Sequence, residues 1–432
     1  NVQDIYPLAP LQEGILFHHL MEQEGDPYLL PSLYAFPDRA SVLRFAETLQ
    51  QVILRHDILR TSLAWQGLAQ PVQIVHRHAG LPLEWVELDA SLGDPGEQLQ
   101  DRFNPRHYRI GLDSAPLLRC HAVEDRSSGR CLLHLNAHHL TVDHTALGLL
   151  VEEAALIEQG RAAELPPAIP FRNFVAQARL GSQPEEQEAF FRKMLADIDA
   201  PTAPFDLLNV QGDGSDIREH TQALPQALAQ QIRQLARSHG VSAASLLHLA
   251  WALVLARATG RSDIVFGTVL LGRLQGGEQA GRVMGMFINT LPLRLDVDSK
   301  PVTHSLKDAH TRLAQLLQHE HAPLALAQRC SGVQAPAPLF TSLLNYRHSA
   351  PAAHAVDATP ADDDIQVLAA HERTNYPLTL AIDDLGEGFQ LTAQVAQPID
   401  PQRICQFMQA AVEQLVAALQ QQPNQPLAQL DV

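Results

Sequence analysis

Cysteine is scarce and poorly spaced for chemistry. The 432 residues hold four, Cys120, Cys131, Cys330 and Cys405, with no CxxC among them. That excludes structural zinc and a redox dithiol, and it makes a reducing cytoplasm the default setting. Positive charge is also short: 31 Lys and Arg face 48 Asp and Glu, a formal charge of −17. A polyanion such as nucleic acid is therefore repelled overall. No apolar run approaches the roughly 18 residues of a membrane span. Asn1 opens without a start methionine, a basic n-region or an apolar h-region, so nothing argues for export and the chain reads as a domain cut from a longer protein.

What is present is an ordinary globular composition, 46% hydrophobic and 18% charged, on a chain long enough for two cores, since single cores stop growing at roughly 250 to 300 residues. SVLRFAETLQQVIL, 41–54, repeats its apolar residues at helical spacing with Ser41 as N-cap. RHDILRTSLAW and PVQIVH read as strands. CLLHLNAHHL alternates, so Leu133, Leu135, Ala137 and His139 share one face and His134, Asn136 and His138 the other. Helical periodicity returns from Thr145 to Gln159, with Gly160 as its stop. Residues 160–220 are rich in Pro, Gln and Asp around one amphipathic helix, EEQEAFFRKML, and form the expected linker. A second block follows: helices from Pro225 to His239 and Ser242 to Ala256, strands at DIVFGTVLLG and INTLPLRLDV, a helix from Ser305 to His319, strands near FTSLLNY and PLTLAIDD, and a last helix from Pro401 to Gln421. The fold class is α+β with mixed sheets, in two lobes without a detectable sequence repeat.

Three histidines and an aspartate fall within seven residues of the stretch NAHHLTVDHTALGLL, 136–150. A metal reading would use His138, His139, Asp143 and His144. Adjacent strand residues point to opposite faces and the HExxH spacing is absent, both of which speak against an ion. Histidines 134 and 138 read as satisfied core residues. His139 differs: an imidazole on an apolar face at a strand end, with a carboxylate four residues on, is what a general base at a buried cleft requires. Asp143 needs a partner if buried. RHDILRT offers Arg55 and Arg60, and LLGRL offers Arg273; pairing with Arg60 or Arg273 would fix the loop that aims His139.

HHLTVDH resembles the HHxxxDG motif of condensation domains of non-ribosomal peptide synthetases, with His144 in place of the glycine. YPLAPLQEGILFHHL (6–20) resembles their opening motif, RHDILRTSL (55–63) their RHxxLRTxF, and VMGMFINTLPLR (283–294) their GxFVNTxxxR. FRNFVAQ (171–177), HEHAPLALAQ and PLFTSLLNYRH are similar to the others, in the right order. HHLMEQEGD, with His18, His19, Gly25 and Asp26, matches the HH(I/L)xxxxGD signature of dual epimerisation and condensation domains, and ERTNYPLTLAIDDLGEGF resembles a stretch of those that take a D-configured donor.

The resemblance implies two chloramphenicol-acetyltransferase-like lobes, 1–175 and 176–432, in a V-shaped pseudo-dimer with the active site between them. It implies no cofactor bound by the chain and no metal. Both substrates arrive as thioesters on the phosphopantetheine of peptidyl carrier domains, the donor upstream and the acceptor downstream, with adjacent synthetase domains as further partners. His139, with His138 and Asp143, would form the catalytic group, supported by Arg60, Arg273 and His144. His139 would take the proton of the attacking acceptor amine and, for epimerisation, the donor Cα proton. His18 and His19 would supply the second acid or shape the donor tunnel. Backbone N–H groups near Gly148 or at 285–289 would steady the oxyanion. The nearest alternative is a plain condensation domain taking a donor already in the D form; a CoA-type acyltransferase and a silent docking module are more distant.

Overall fold

In the computed structural model, the described residues are 1–21, 23–125, 128–180, 183–210, 216–272, 282–348, 366–370 and 376–432. They form two compact units, one of Asn1–Gly181, Gly272–Ile288 and Val356–Arg373, the other of Ser182–Leu271, Asn289–Ala355 and Thr374–Val432. The cut was expected at 175, and the first run of unit one is Asn1–Gly181. The chain then returns to that unit twice, and in the second return the strand Gln366–Ala370 completes an edge beside Leu29–Phe36. A single cut in the sequence cannot express such a return.

The sheet that carries the histidine stretch has five strands in the order Gln366–Ala370, Leu29–Phe36, Arg130–His138, Leu118–Asp125 and Leu83–Trp85. All its pairs are antiparallel except the last, which is parallel. The alternation expected along Arg130–His138 holds. Leu133, Leu135 and Ala137 enter a core with Val42, Phe45, Leu49, Val52 and Ile53 of the helix Arg39–Arg55 and Leu150 and Ala154 of the helix His144–Glu158. Burial of each such aliphatic side chain stabilises the unit by about 1.5–3 kcal/mol. The first helix starts earlier than its periodicity suggests. Asp38, not Ser41, is its cap: the carboxylate accepts the Ser41 N–H at 2.7 Å and the Ser41 hydroxyl at 2.9 Å.

RHDILRTSLAW, expected as a strand, is mostly a turn. Asp57 accepts the Ile58 N–H at 2.8 Å and starts a 3₁₀ turn, Ile58–Arg60, leaving only Thr61–Ala64 extended. Within the expected linker, FRNFVAQARL is a full helix, Phe171–Leu180, followed by the helix Pro184–Leu195 and the strand Ile217–Ala223.

The second unit is built on a mixed six-stranded sheet in the order Asn289–Asp296, Asp263–Leu270, Ser342–His348, Leu378–Asp384, Phe389–Ala396 and Ile217–Ala223. Ser342–His348 runs parallel to both of its neighbours. The helix Ala243–Thr259 is apolar all round, and every residue from Ser245 to Ala256 is buried, as that composition requires. No single helix among the described residues is long and apolar enough to cross a membrane. The four cysteines are free thiols, all buried.

Candidate functional site

The strand Arg130–His138 ends one residue before the alternation predicted, and that residue is His139. A turn follows at once: the Thr141 N–H and the Thr141 hydroxyl both donate to the His138 carbonyl, at 3.0 and 3.2 Å. Freed from the pleat, His139 does not join the apolar face with Ala137 but stands half-buried. Its N–H donates to the Tyr28 carbonyl at 2.8 Å, extending the ladder with the neighbouring strand by one step. The ring's Nδ1 is buried and makes no hydrogen bond among the described residues. With no partner at that nitrogen, the ring is not locked into one tautomer from the Nδ1 side.

His138 is the reverse case. It is 0% exposed and both ring nitrogens are taken. Nδ1 accepts the Leu140 N–H at 3.1 Å, which places the ring proton on Nε2, and Nε2–H donates to Asp26 Oδ2 at 3.0 Å. His138, expected in the catalytic group, therefore has both ring nitrogens engaged by the protein itself. Asp26 is 1% exposed and the same oxygen accepts Nδ1–H of His19 at 2.7 Å, while its other oxygen accepts the Tyr28 N–H at 3.0 Å. Burial works to raise the Asp26 carboxyl, but the hydrogen bonds from His138 and His19 outweigh it and hold the group far below the usual carboxylate range. Burial also pushes His138 down. The pair is thus a carboxylate bonded to a neutral imidazole.

The two histidine motifs, 112 residues apart in sequence between Asp26 and His138, are therefore one hydrogen-bonded network. Among the described residues His19, Asp26 and His138 form the only cluster with metal-ligand chemistry. Their separations of 2.7 and 3.0 Å are direct hydrogen bonds on one oxygen.

The signature's Gly25, together with Pro105 and Arg109, which no motif marks, holds this network in place. Gly25 turns the chain at φ +71°, and a Cβ there would fall 2.1 Å from the Arg106 carbonyl oxygen, so no other residue fits. The Asp26 N–H donates to the Pro105 carbonyl at 2.6 Å. Arg109 bridges the carbonyls of His19 and Gly25, at 2.7 and 2.6 Å. His18 is exposed, unlike the buried His19 next to it, with Nδ1 2.5 Å from the Tyr28 hydroxyl. Arg109 and Pro105 were missed in the sequence, and only the need for glycine at 25 could have been guessed there.

Asp143 fixes the loop after His139, as expected, but not through Arg60. It caps the helix His144–Glu158, Oδ1 accepting the Ala146 N–H at 2.8 Å, and Oδ2 accepts the Phe287 N–H at 3.1 Å. Arg60 Nη1 donates to Gln3 Oε1, at 2.7 Å, and to the carbonyls of His76 and Arg77, while its Nε is buried without a hydrogen-bond partner among the described residues. Asp143 is not among its partners. Arg273 and the side chain of His144 lie outside the described residues. Arg55 pairs with Glu153, 2.9 Å away.

Gly148 lies inside the helix, where its N–H belongs to the helical ladder, and the Phe287 N–H is bound by Asp143. These two expected oxyanion donors are already committed.

The remaining motifs form the support. Both oxygens of Asp57 accept the Phe171 N–H at 3.1 Å. Phe171 and Phe174 pack on the ring of Phe287 with centroids 5.5 and 4.4 Å away. Phe287 in turn holds Asp143.

The comparisons with known proteins agree with this assembly of motifs. The sequence matches the condensation domain family over residues 2–432. It is 48% identical to malpinin synthetase of Mortierella alpina over 432 residues, covering 100% of this chain and 6% of that protein. It is 30% identical to a linear gramicidin synthase of Brevibacillus parabrevis over 457 aligned positions, covering 100% of this chain and 8% of the relative. The chain thus spans a small fraction of the length of these relatives. Its fold is similar to the first condensation domain of the calcium-dependent antibiotic synthetase, with a TM-score of 0.69 at 18% identity, covering 100% of this chain and 99% of the other. Condensation domains work on substrates carried by the phosphopantetheine of carrier domains, and this chain belongs to the condensation domain family of the non-ribosomal peptide synthetases.

Proposed function

We propose that the domain is a dual epimerisation and condensation catalyst. It converts the C-terminal L-residue of a carrier-bound donor peptidyl thioester to the D form and then joins it to a carrier-bound aminoacyl acceptor. The observation that carries this reading is the half-buried imidazole of His139, with its uncommitted Nδ1, set directly beside the sealed His138 that the signature residues His19 and Asp26 hold. All five defining positions of the dual signature are present in HHLMEQEGD.

In the condensation step the acceptor amine attacks the donor carbonyl, the proton released by nitrogen passes to His139, and the C–S bond breaks to free the donor carrier's phosphopantetheine sulfur, which leaves as the thiol once it takes up that proton. Two tethered substrates supply much of the rate, since oriented reactants reach effective molarities of about 10⁵–10⁸ M. In the epimerisation step His139 removes the proton at the donor Cα, and a proton returns to the other face. The partners are upstream and downstream carrier domains and the neighbouring synthetase domains, in a cytoplasmic setting that suits four free thiols.

The test is solvent-deuterium exchange at Cα of an L-configured donor loaded on its carrier, with no acceptor present. Exchange together with appearance of the D isomer supports the dual reading; a donor that forms amide but shows no exchange leaves a plain condensation domain that takes a D-configured donor.

A further inference from the structure

We propose that Asp26 is a positioning residue for amide-bond formation, its buried carboxylate clamping the turn that presents His139. This goes beyond the epimerase reading and does not depend on it, resting only on the condensation chemistry of the family.

The Nδ1 of His139 has no hydrogen-bond partner among the described residues, so no side chain aims the ring through that nitrogen in the way a carboxylate usually aims a general base. The aim of the imidazole is inherited from the backbone that carries it. That backbone is fixed at three consecutive residues, and each tie leads back to Asp26. His138 is bound directly, Nε2–H to Oδ2 at 3.0 Å. Leu140 is bound through the same ring, its N–H donating to His138 Nδ1 at 3.1 Å. His139 itself is bound through Tyr28, whose carbonyl accepts the His139 N–H at 2.8 Å and whose own N–H donates to Asp26 Oδ1 at 3.0 Å.

The carboxylate is in turn immobilised. His19 donates to Oδ2 at 2.7 Å, the Asp26 N–H is held by the Pro105 carbonyl at 2.6 Å, and Arg109 bridges the carbonyls of His19 and Gly25. A turn whose three residues converge on one anchored group has little freedom to drift. An error of about 1 Å in the placement of a reacting group costs on the order of 100-fold in rate.

The signature therefore divides into two parts. His19, Gly25 and Asp26 are buried and serve the turn; His18 is exposed and shares its hydrogen bond with the Tyr28 hydroxyl. Loss of the buried part impairs amide formation itself, whatever the configuration of the donor.

The experiment uses the full chain with loaded donor and acceptor carriers. Amide formation is followed with whichever donor diastereomer the unaltered protein consumes faster, so that no epimerisation is needed; a failure of the dual reading appears only in Cα exchange, and a failure of this proposal only in amide formation. Asp26→Asn keeps the shape but offers an NH₂ where an oxygen accepted donors. The expected result is a fall in kcat of about 10- to 100-fold with KM for both carriers within about twofold.

His19 supplies a second, milder pair of variants. Asn can place an N–H where His19 Nδ1 stands, and Leu cannot, so His19→Asn is expected to keep kcat within about threefold while His19→Leu loses about tenfold. In a double-mutant cycle, His138→Gln costs less than about threefold once Asp26→Asn is present. Full kcat in folded Asp26→Asn, a loss confined to KM, or equal activities for His19→Asn and His19→Leu would overturn the proposal. If Asp26→Asn does not fold, the His19 pair decides it alone.

Discussion

His138 in the first unit and His248 in the second are both sealed histidines with both ring nitrogens bonded. His248 donates from Nδ1 to the Ala244 carbonyl at 2.6 Å and accepts at Nε2 from the Thr268 hydroxyl at 2.8 Å. Its partners are neutral and belong to its own helix and the strand beneath. Burial pushes it down to about 4, and nothing charged opposes that. His138 is bonded instead to a buried carboxylate, and the residue after it is an imidazole with a nitrogen to spare. Burial and saturation are common to both, so neither marks a working site. The difference is a desolvated charge kept ionised by its neighbours, next to a group left unsatisfied. Desolvating a charge is expensive, and here the expense is located where it constrains the turn that carries His139.

The comparison is broken most directly at His139. His139→Ala is expected to lower amide formation by about 10²–10⁴-fold, the usual share of a general base, with little change in thermal midpoint, because the ring has no Nδ1 partner to lose. Normal turnover by this variant in a loaded-carrier assay would end the assignment.

A smaller effect separates the histidines by pH. The folded value for His248, about 4, lies below the ordinary 6.5, so the unfolded chain binds the proton first. Its contribution to stability is complete above pH 6.5 and is lost as pH falls toward 4, by up to about 3 kcal/mol. His121 and His134, also pushed to about 4 by burial, add to the same trend. Denaturant titrations across this window should show the slope, and His248→Leu should flatten it without changing turnover per folded molecule.

The smallest effect compares two helix caps. Asp143→Ala removes a cap and strands the Phe287 N–H, for about 2–3 kcal/mol, and lowers kcat as well. Ser242→Ala removes a cap from the helix Ala243–Thr259, for about 1 kcal/mol, and leaves kcat untouched. Equal kinetic consequences for the two would show that the cap at Asp143 has no tie to the chemistry.

The parts of the fold that were legible are those whose side chains alternate in polarity. The helix Arg39–Arg55 puts one face in water and one in a core, and along Arg130–His138, buried at eight of nine positions, Leu133, Leu135 and Ala137 lie on one face and His134, Asn136 and His138 on the other, so a period survives in the sequence. Leu29–Phe36 is also buried at seven of its eight positions, but its side chains do not alternate in polarity. The strand Phe389–Ala396 alternates cleanly and is readable in retrospect. The helix Phe171–Leu180 was hidden in a segment whose prolines and glutamines read as irregular.

At the site, His139 and Asp143 are written as a local pattern, and the five signature positions likewise. The bond from His138 to Asp26 is not, nor is the one from Phe287 to Asp143, because each joins segments more than 100 residues apart. A short motif states which side chains are available. Which of two adjacent histidines is locked and which is left open depends on how many donors and acceptors the rest of the chain brings to each nitrogen, and only packing decides that count. The sequence by itself determined the α+β class and the motif order; the tertiary structure decided that a buried carboxylate, Asp26, bonds the histidine beside His139, because that bond joins segments more than 100 residues apart.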